Sequence, residues 1–427
     1  MPRRRTANAP ASYAWIFDLL FAAGPTVTWA PAGELPAGYQ RADQFAVLPA
    51  IAGRSFMVSL ASRPGASSAL TSYNALRTAP RRLVRVVFSL ALRSGLASPV
   101  MQDRIDVGVA SAASAEQVAA DLLTEHLSRQ LDGGPVVIAF GGGGGPYRKP
   151  VLQVFGMDGT PLGYVKIGWN DWTRDAVRRE AAALRGCAAS PMRLGVPELV
   201  GHSVWHGLDL LITAPMPGRV RRLGLSAELP DASLLREISQ LSGSYVRELG
   251  VSPWWQALRA RIGGCADSAA RAELELLADG IERRYGHAAL EFGSWHGDFV
   301  PWNLARLGGR VYAWDWESSG PDTPVGFDAL HYYFQVAFVA RRRPLAEAAL
   351  RASHRARPAL DALGVRAGTV DLVAVLHLME LFVRHEEARS SAGGVDDRFY
   401  PAVARLLAQS LAGPTAAASL DPAERAA

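Results

Sequence analysis

Lysine is nearly absent from this chain: of its 45 basic residues only Lys149 and Lys166 are lysine, and all others are arginine. Cysteine is as scarce. Cys187 and Cys265 stand alone and far apart, with no CxxC, so a disulfide framework and a cysteine-rich zinc site are excluded and two buried, inert thiols are expected. Long apolar runs are also lacking. The stretch 83–100 is broken by Arg85 and Arg93, and no segment reaches the roughly 18 uninterrupted apolar residues that span a bilayer. Near the start, Arg3-Arg4-Arg5 followed by YAWIFDLLFAAG has the outline of a secretory signal, but Asp18 interrupts its apolar part. A helix docked through Trp15, Leu19 and Leu20, in a cytoplasmic protein, is expected instead. Basic clusters are short, ending with Arg341-Arg342-Arg343, and the charges number 21 basic against 15 acidic up to Pro217 and 24 against 25 beyond it. The second half is therefore near neutral, and no nucleic-acid footprint is expected.

What the chain does have is core material. Its 427 residues are 49% hydrophobic and 20% charged, which suits two or three folded units. No internal repeat is present. Residues 1–112 mix short apolar runs at 45–48 and 55–60, expected as strands, with expected helices at 66–75 and 81–92, and carry no motif with recognisable chemistry. Over 114–131, Val118, Leu122, Leu123 and Leu127 recur at helical spacing and predict one amphipathic helix. Strands are expected at 136–140, at 151–155 and in LGYVKIG, with Asp158-Gly159 as a hairpin turn, giving three antiparallel strands in order. A helix over 172–186 follows, then a strand pair near 200–202 and 208–213 and the linker Ala214-Pro215-Met216-Pro217-Gly218. Helices dominate beyond it, interrupted only by a small hairpin through Gly308-Gly309, up to an Ala- and Pro-rich tail over 413–427 that is expected to fray.

The two lysines sit among these strands. Lys166 alternates with Leu162 and Tyr164 on one face of its strand. Fourteen residues on, Glu180 lies in the apolar stripe of the next helix, between Val177 and Leu184. A carboxylate on the face a helix buries needs a cation, and Lys166 is the partner expected, with a nearby arginine as the simpler alternative. A compact ammonium on a flexible stem also suits polyphosphate oxygens better than a planar guanidinium. Gly141, Gly142, Gly143, Gly144 and Gly145 form a run between the first two strands. Glycines let backbone N–H groups close over phosphate oxygens, and the order strand, glycine loop, strand, lysine-bearing strand is that of a nucleotide-covering loop and not of a Walker A motif.

Residues 296–303 read HGDFVPWN, and AWDWE follows with Asp315 at its centre. His296, Asp298 and Asn303 thus gather beside Trp295, Trp302, Trp314 and Trp316, four of only eleven tryptophans in the chain. In phosphoryl transfer an Asp orients the acceptor hydroxyl and takes its proton, while an Asn and a second Asp hold magnesium. The spacings from Asp298 to Asn303 and on to Asp315 fit that arrangement.

HGDFVPWN and AWDWE, with Lys166 and Glu180, resemble the catalytic and metal-binding motifs of the aminoglycoside phosphotransferase family, small-molecule kinases of protein-kinase-like fold. The resemblance covers roughly residues 135–411. It implies an α+β, bilobal fold with a small antiparallel β N-lobe and a mainly helical C-lobe, here preceded by an additional N-terminal α/β region. The implied divisions are an accessory region over 1–112, a nucleotide-binding lobe over 113–217 and a helical acceptor lobe over 218–412. It further implies ATP and Mg2+ as cofactors and a small-molecule hydroxyl as substrate. Asp298 would be the base, Asn303 and Asp315 the metal ligands, and Lys166, held by Glu180, the contact to the α- and β-phosphates. The glycine run, Lys149, Ala214 and Met216 would complete the nucleotide site. His296 belongs to the catalytic loop, as a brace more than a proton shuttle. Departures are a glycine run without a clean GxGxxG, Gly297 where HRD has Arg, and Glu317 where DFG has Gly. Only thirteen steps separate Asp315 from Asp328, a helix-start residue in GFDAL, so a phosphorylatable activation segment does not fit. Glu386-Glu387 and Asp396-Asp397 offer an acidic rim for a cationic acceptor, or else solvated helix ends. A catalytically silent binding module and a protein kinase are the alternative classes.

Overall fold

The computed structural model describes residues 11–48, 55–73, 89–90, 93, 103–131, 134–142, 145, 148–218, 220–225 and 228–392. The chain forms two compact units, residues 1–181 with 197–219, and residues 182–196 with 220–427.

The first unit is built on one antiparallel sheet of nine strands: β1 (Val27–Pro31), β2 (Tyr39–Leu48), β3 (Phe56–Ser59), β4 (Arg104–Ala110), β5 (Val136–Gly141), β6 (Val151–Gly156), β7 (Pro161–Gly168), β8 (Leu199–Trp205) and β9 (Leu208–Thr213). Their order is β1-β4-β2-β3-β5-β6-β7-β9-β8. The expected run β5, β6, β7 is present, and its hairpin turns at Gly159, which takes a φ of +87°. The division expected after residue 112 does not coincide with an edge of this sheet. β3 pairs with β5, placing Met57 opposite Phe140 and Val58 opposite Ala139. Both strands are apolar on both faces, so neither suits a solvent-facing edge.

Each face of the β3–β5 junction carries its own core. On one side Met57, Phe140 and Phe45 meet the helix Ala11–Phe21, with Phe17 5.6 Å from both Phe45 and Phe140. On the other, Val58, Val137 and Ala139 meet the helix Arg63–Tyr73. The N-terminal helix docks through Ile16, Phe17, Leu20 and Phe21, while the expected Trp15 and Leu19 flank that face. Asp18 is exposed and accepts from Trp29 Nε1 at 3.0 Å.

The single helix expected over 114–131 is two helices, Ala115–Asp121 and Leu123–Gln130, broken at an extended Leu122. The break turns Asp121 inward, where it accepts from the Thr26 hydroxyl at 2.7 Å and pairs with His206 at 3.0 Å. A polar partner overrides helical periodicity there. The helix expected over 81–92 lies almost wholly outside the described residues, and the tail over 413–427 lies outside them entirely.

The second unit is mainly helical, with the helices Ala232–Ser239, Pro253–Gly263, Ser268–Tyr285, Phe327–Gln335, Leu345–Ala362 and Val370–Ala392. Two three-stranded sheets interrupt them. β10 (Arg221–Arg222), β13 (Leu304–Leu307) and β14 (Arg310–Ala313) form one, and β11 (Tyr245–Glu248), β12 (Ala289–Trp295) and β15 (Gly320–Pro324) the other. β13 and β14 are the expected hairpin, whereas β10 and β11 fall where only helices were expected. Both are short and exposed and lack an apolar alternation that would mark them. Among the described residues no helix is long and apolar enough to cross a membrane.

Candidate active site

In the first unit the lysine and the buried acid meet. Lys166 Nζ donates to both carboxylate oxygens of Glu180 at 2.7 Å. Glu180 is 1% exposed, and Lys166 lies on the half-buried face of β7, as the alternation implies. The bond fixes the ammonium beside β6, whose Val151 pairs with Lys166 in register. Lys149 lies just ahead of that strand, next to Pro150, whose carbonyl accepts from Ile167 N at 3.0 Å. The chain is tied down at Gly142 and again at Arg148, just past the glycine run. Gly142 N donates to Ser55 O at 2.8 Å, and the Trp15 indole donates to Gly142 O at 3.4 Å. Past the run the Trp169 indole donates to Arg148 O at 3.0 Å, and Trp15 and Trp169 lie 5.9 Å apart. Gly145 has a φ of +145°, and Gly143 and Gly144 lie outside the described residues. Ala214 and Met216 follow β9 directly, half-buried, with Ala214 N donating to Glu198 O at 2.9 Å.

In the second unit β12 delivers the HGDFVPWN loop and β13 carries the chain away from it. The loop is tied from below by Asp328, in the first turn of the helix Phe327–Gln335, which accepts from His296 N at 2.8 Å and Gly297 N at 3.0 Å. Burial pushes the Asp328 carboxyl up, and His296 with the two N–H groups opposes that rise. Gly297 explains its own identity. It takes a φ of +78°, and a Cβ there would lie 2.1 Å from Ser318 O.

His296 is completely buried, its ring 4.4 Å from that of Trp316, and its Nδ1 accepts from Asp298 N at 3.2 Å. That geometry is a brace under the loop. Asp298 itself is 37% exposed, and each of its oxygens is held. Asn303 Nδ2 donates to Oδ2 at 2.7 Å and to the Asp298 carbonyl at 3.2 Å, while His331 Nε2 donates to Oδ1 at 3.2 Å. Both amide hydrogens of Asn303 are thereby spent, and its Oδ1 is left as the acceptor atom.

Asp315 comes beside Asn303 because Trp314 N donates to Asn303 O at 3.2 Å. It adopts the left-handed conformation, φ 64° and ψ 56°, which a non-glycine residue holds only where its surroundings enforce it. Arg222 stacks over Trp314 at 5.5 Å; burial pulls its guanidinium pKa down and Asp315 opposes that. Arg384 lies 4.1 Å over Trp295 and donates to Ser318 O at 3.1 Å and Gly297 O at 3.4 Å. Trp295 and Trp316 are core, while Trp302 and Trp314 keep partial exposure.

Sequence reasoning missed Asp328 as an anchor, and it missed His331, Arg222 and Arg384 altogether. The signal for His331 was its position three residues after Asp328, on the same helix face. Of the two readings offered for Glu386-Glu387, an acidic rim or a solvated helix end, neither describes the pair. Glu386 is buried and pairs with Arg389 at 2.8 Å, and Glu387 pairs with Arg261 at 2.7 Å. These are counter-charges inside the unit, and Asp396-Asp397 lie outside the described residues.

No family model matches the chain, and no curated protein matches it in sequence. The solved structures it is similar to include small-molecule kinases. A choline kinase, LicA, from Streptococcus pneumoniae aligns at 13% identity and a TM-score of 0.43, over 63% of this chain and 91% of that one. A thermostable mutant of aminoglycoside phosphotransferase APH(4)-Ia, in a ternary complex with AMP-PNP and hygromycin B, aligns at 11% identity and a TM-score of 0.46, over 70% and 99%. The amicoumacin kinase hAmiN aligns at 12% identity and a TM-score of 0.40, over 62% and 86%.

Proposed function

We propose that this chain is an ATP-dependent phosphotransferase that moves the γ-phosphate to a hydroxyl group of a small molecule, a sugar, amino alcohol or aminoglycoside-like metabolite. The observation that carries the proposal is the state of Asp298. Its carboxylate is open to solvent over about a third of its surface, yet is locked by one donor on each oxygen. Such a group has its orientation settled before a substrate arrives and still has lone pairs to offer it, which is what a general base needs.

The residues present fit a hard divalent cation. Asn303 offers an amide oxygen whose own hydrogens are engaged elsewhere, and Asp315 a carboxylate held by a strained backbone, so the donor set is oxygen only, as Mg2+ requires. When bound, Mg2+ neutralises the charge of the triphosphate. Lys166, oriented by Glu180, supplies an ammonium for the α- and β-phosphate oxygens, and the glycine run supplies backbone N–H groups. Lys149, Ala214 and Met216 belong to the same nucleotide site in this reading. Asp298 accepts the proton of the acceptor hydroxyl as its oxygen bonds to the γ-phosphorus and the bond to the ADP leaving group breaks.

Magnesium-dependent ATP turnover against sugars, amino alcohols and aminoglycosides tests this reading, with Asp298→Ala as control. The expected result is transfer to at least one class by the wild type, loss of transfer in the variant by about a thousandfold, and ATP affinity in the variant within about twofold of wild type. Wild-type turnover in Asp298→Ala would refute it.

A further inference from the structure

Behind Asp298 two histidines stand in line, on two different helices. His331 lies on the helix Phe327–Gln335 and His377 on the helix Val370–Ala392. His331 is 3% exposed; its Nε2 lies 3.2 Å from Asp298 Oδ1 and its Nδ1 3.5 Å from His377 Nε2. His377 is 1% exposed, between the rings of Phe327 at 5.4 Å and Phe334 at 6.1 Å.

A neutral imidazole has one donor and one acceptor nitrogen. A carboxylate only accepts, so the hydrogen of His331 has to be on Nε2. Its Nδ1 is then an acceptor, and the group facing it has to donate. His377 Nε2–H does so, because burial holds this second ring neutral by lowering its pKa well below the ordinary histidine range. Packing alone would be served by leucine or phenylalanine at both positions, with no polar atom to bury. Two imidazoles whose nitrogens line up on an open carboxylate instead choose a tautomer and fix a plane.

We propose that His331, set in its Nε2–H tautomer by the Asp298 carboxylate and backed at Nδ1 by the His377 N–H, is a positioning residue for Asp298, holding Oδ1 as Asn303 holds Oδ2, so that the carboxylate meets the acceptor hydroxyl in one orientation. This inference rests on the phosphotransferase reading above. His331 does not touch the substrate; the proton from the hydroxyl stays on Asp298, and the N–H of His331 remains on the oxygen it already holds.

Two measurements test it, one of which needs no turnover. Long-range proton–nitrogen correlation spectra of the full-length protein should show His331 as the Nε2–H tautomer, and Asp298→Ala should remove that preference. In the transfer assay His331→Leu should lower kcat about 10- to 100-fold with KM for ATP within about twofold. His331→Gln, whose amide N–H reaches the same oxygen, should recover most of the lost rate. An Nδ1–H tautomer in the wild type overturns the proposal, as does an equal loss in the Leu and Gln variants or no loss in either. If the wild type transfers phosphate to no acceptor, the phosphotransferase reading fails. The spectra then decide the positioning role alone: a preference that depends on Asp298 sustains it, and one that does not overturns it.

Discussion

Asp43 carries a burial cost that its hydrogen bonds do not cancel. Ser59 Oγ and Gln44 N both donate to its Oδ1, at 2.9 and 2.6 Å, yet desolvation outweighs them and lifts the carboxyl from 3.8 to about 6. The unfolded chain releases this proton near pH 4 and the folded chain keeps it to about pH 6, so stability falls as pH rises through that window and is highest below it. The shift corresponds to roughly 3 kcal/mol at pH 7, and because the side chain keeps partial exposure, about 1–2 kcal/mol is expected. Asp43→Asn keeps an oxygen for both donors and removes the charge. It should raise the melting temperature at pH 7 and leave it unchanged at pH 4 by scanning calorimetry, and an equal shift at both pH values would contradict the assignment. Asp43 gave no sign in the sequence, whereas the Lys166–Glu180 pair did, because an acid inside an apolar stripe poses a question that a nearby lone lysine answers. Asp328 was visible only as an acid at a helix start, where it has an ordinary meaning. Its true partners lie about thirty residues away, and no spacing rule reports a contact of that range.

The loop over residues 296–303 shows how an element's path dictates a residue. The backbone accounts for Gly297: the positive φ and the contact with Ser318 O leave no room for any Cβ. Gly297→Ala should cost about 2–4 kcal/mol in urea unfolding, from left-handed strain and displacement of the Ser318 carbonyl together. Gly309, at the tip of the β13–β14 hairpin, is the control. Its φ is +84°, but nothing lies within 4 Å of a Cβ there, so Gly309→Ala should cost only about 1 kcal/mol. Similar losses at the two sites would mean that the contact with Ser318 is not what selects glycine. Several elements were legible in the sequence, namely β5 to β9, the helix Asp171–Ala188 and the hairpin at Gly308-Gly309, since each is a short apolar run, carries a helical apolar stripe or turns on glycine. The break at Leu122 was not legible, because what ends the first helix is Asp121 reaching Thr26, 95 residues away in sequence.

At the scale of the whole molecule the described strands before residue 113 share one sheet with β5 to β9. Short apolar runs identified the strands near 45–48 and 55–60 but did not say with what they pair, since such a run marks a strand and not its neighbours. The pairing is β3 on β5, and it makes the N-terminal helix, β2 and β3 part of the core that supports the glycine run. Phe17, Phe21 and Phe45 are all fully buried there, each contributing about 1.5–3 kcal/mol, and together they approach the lower end of a typical domain's net stability of about 5–15 kcal/mol. Trp15 and Ser55 also tie down Gly142. A chain beginning at residue 113 would lose all of these contacts and expose β5 as a long apolar edge, the kind of edge that recruits other chains. It should therefore aggregate on expression, and co-expression with residues 1–112 should return soluble, folded protein with a single cooperative melt. A soluble 113–427 fragment with the melting temperature and nucleotide affinity of the full chain would show that the shared sheet contributes nothing essential, and that these residues are an appendage after all.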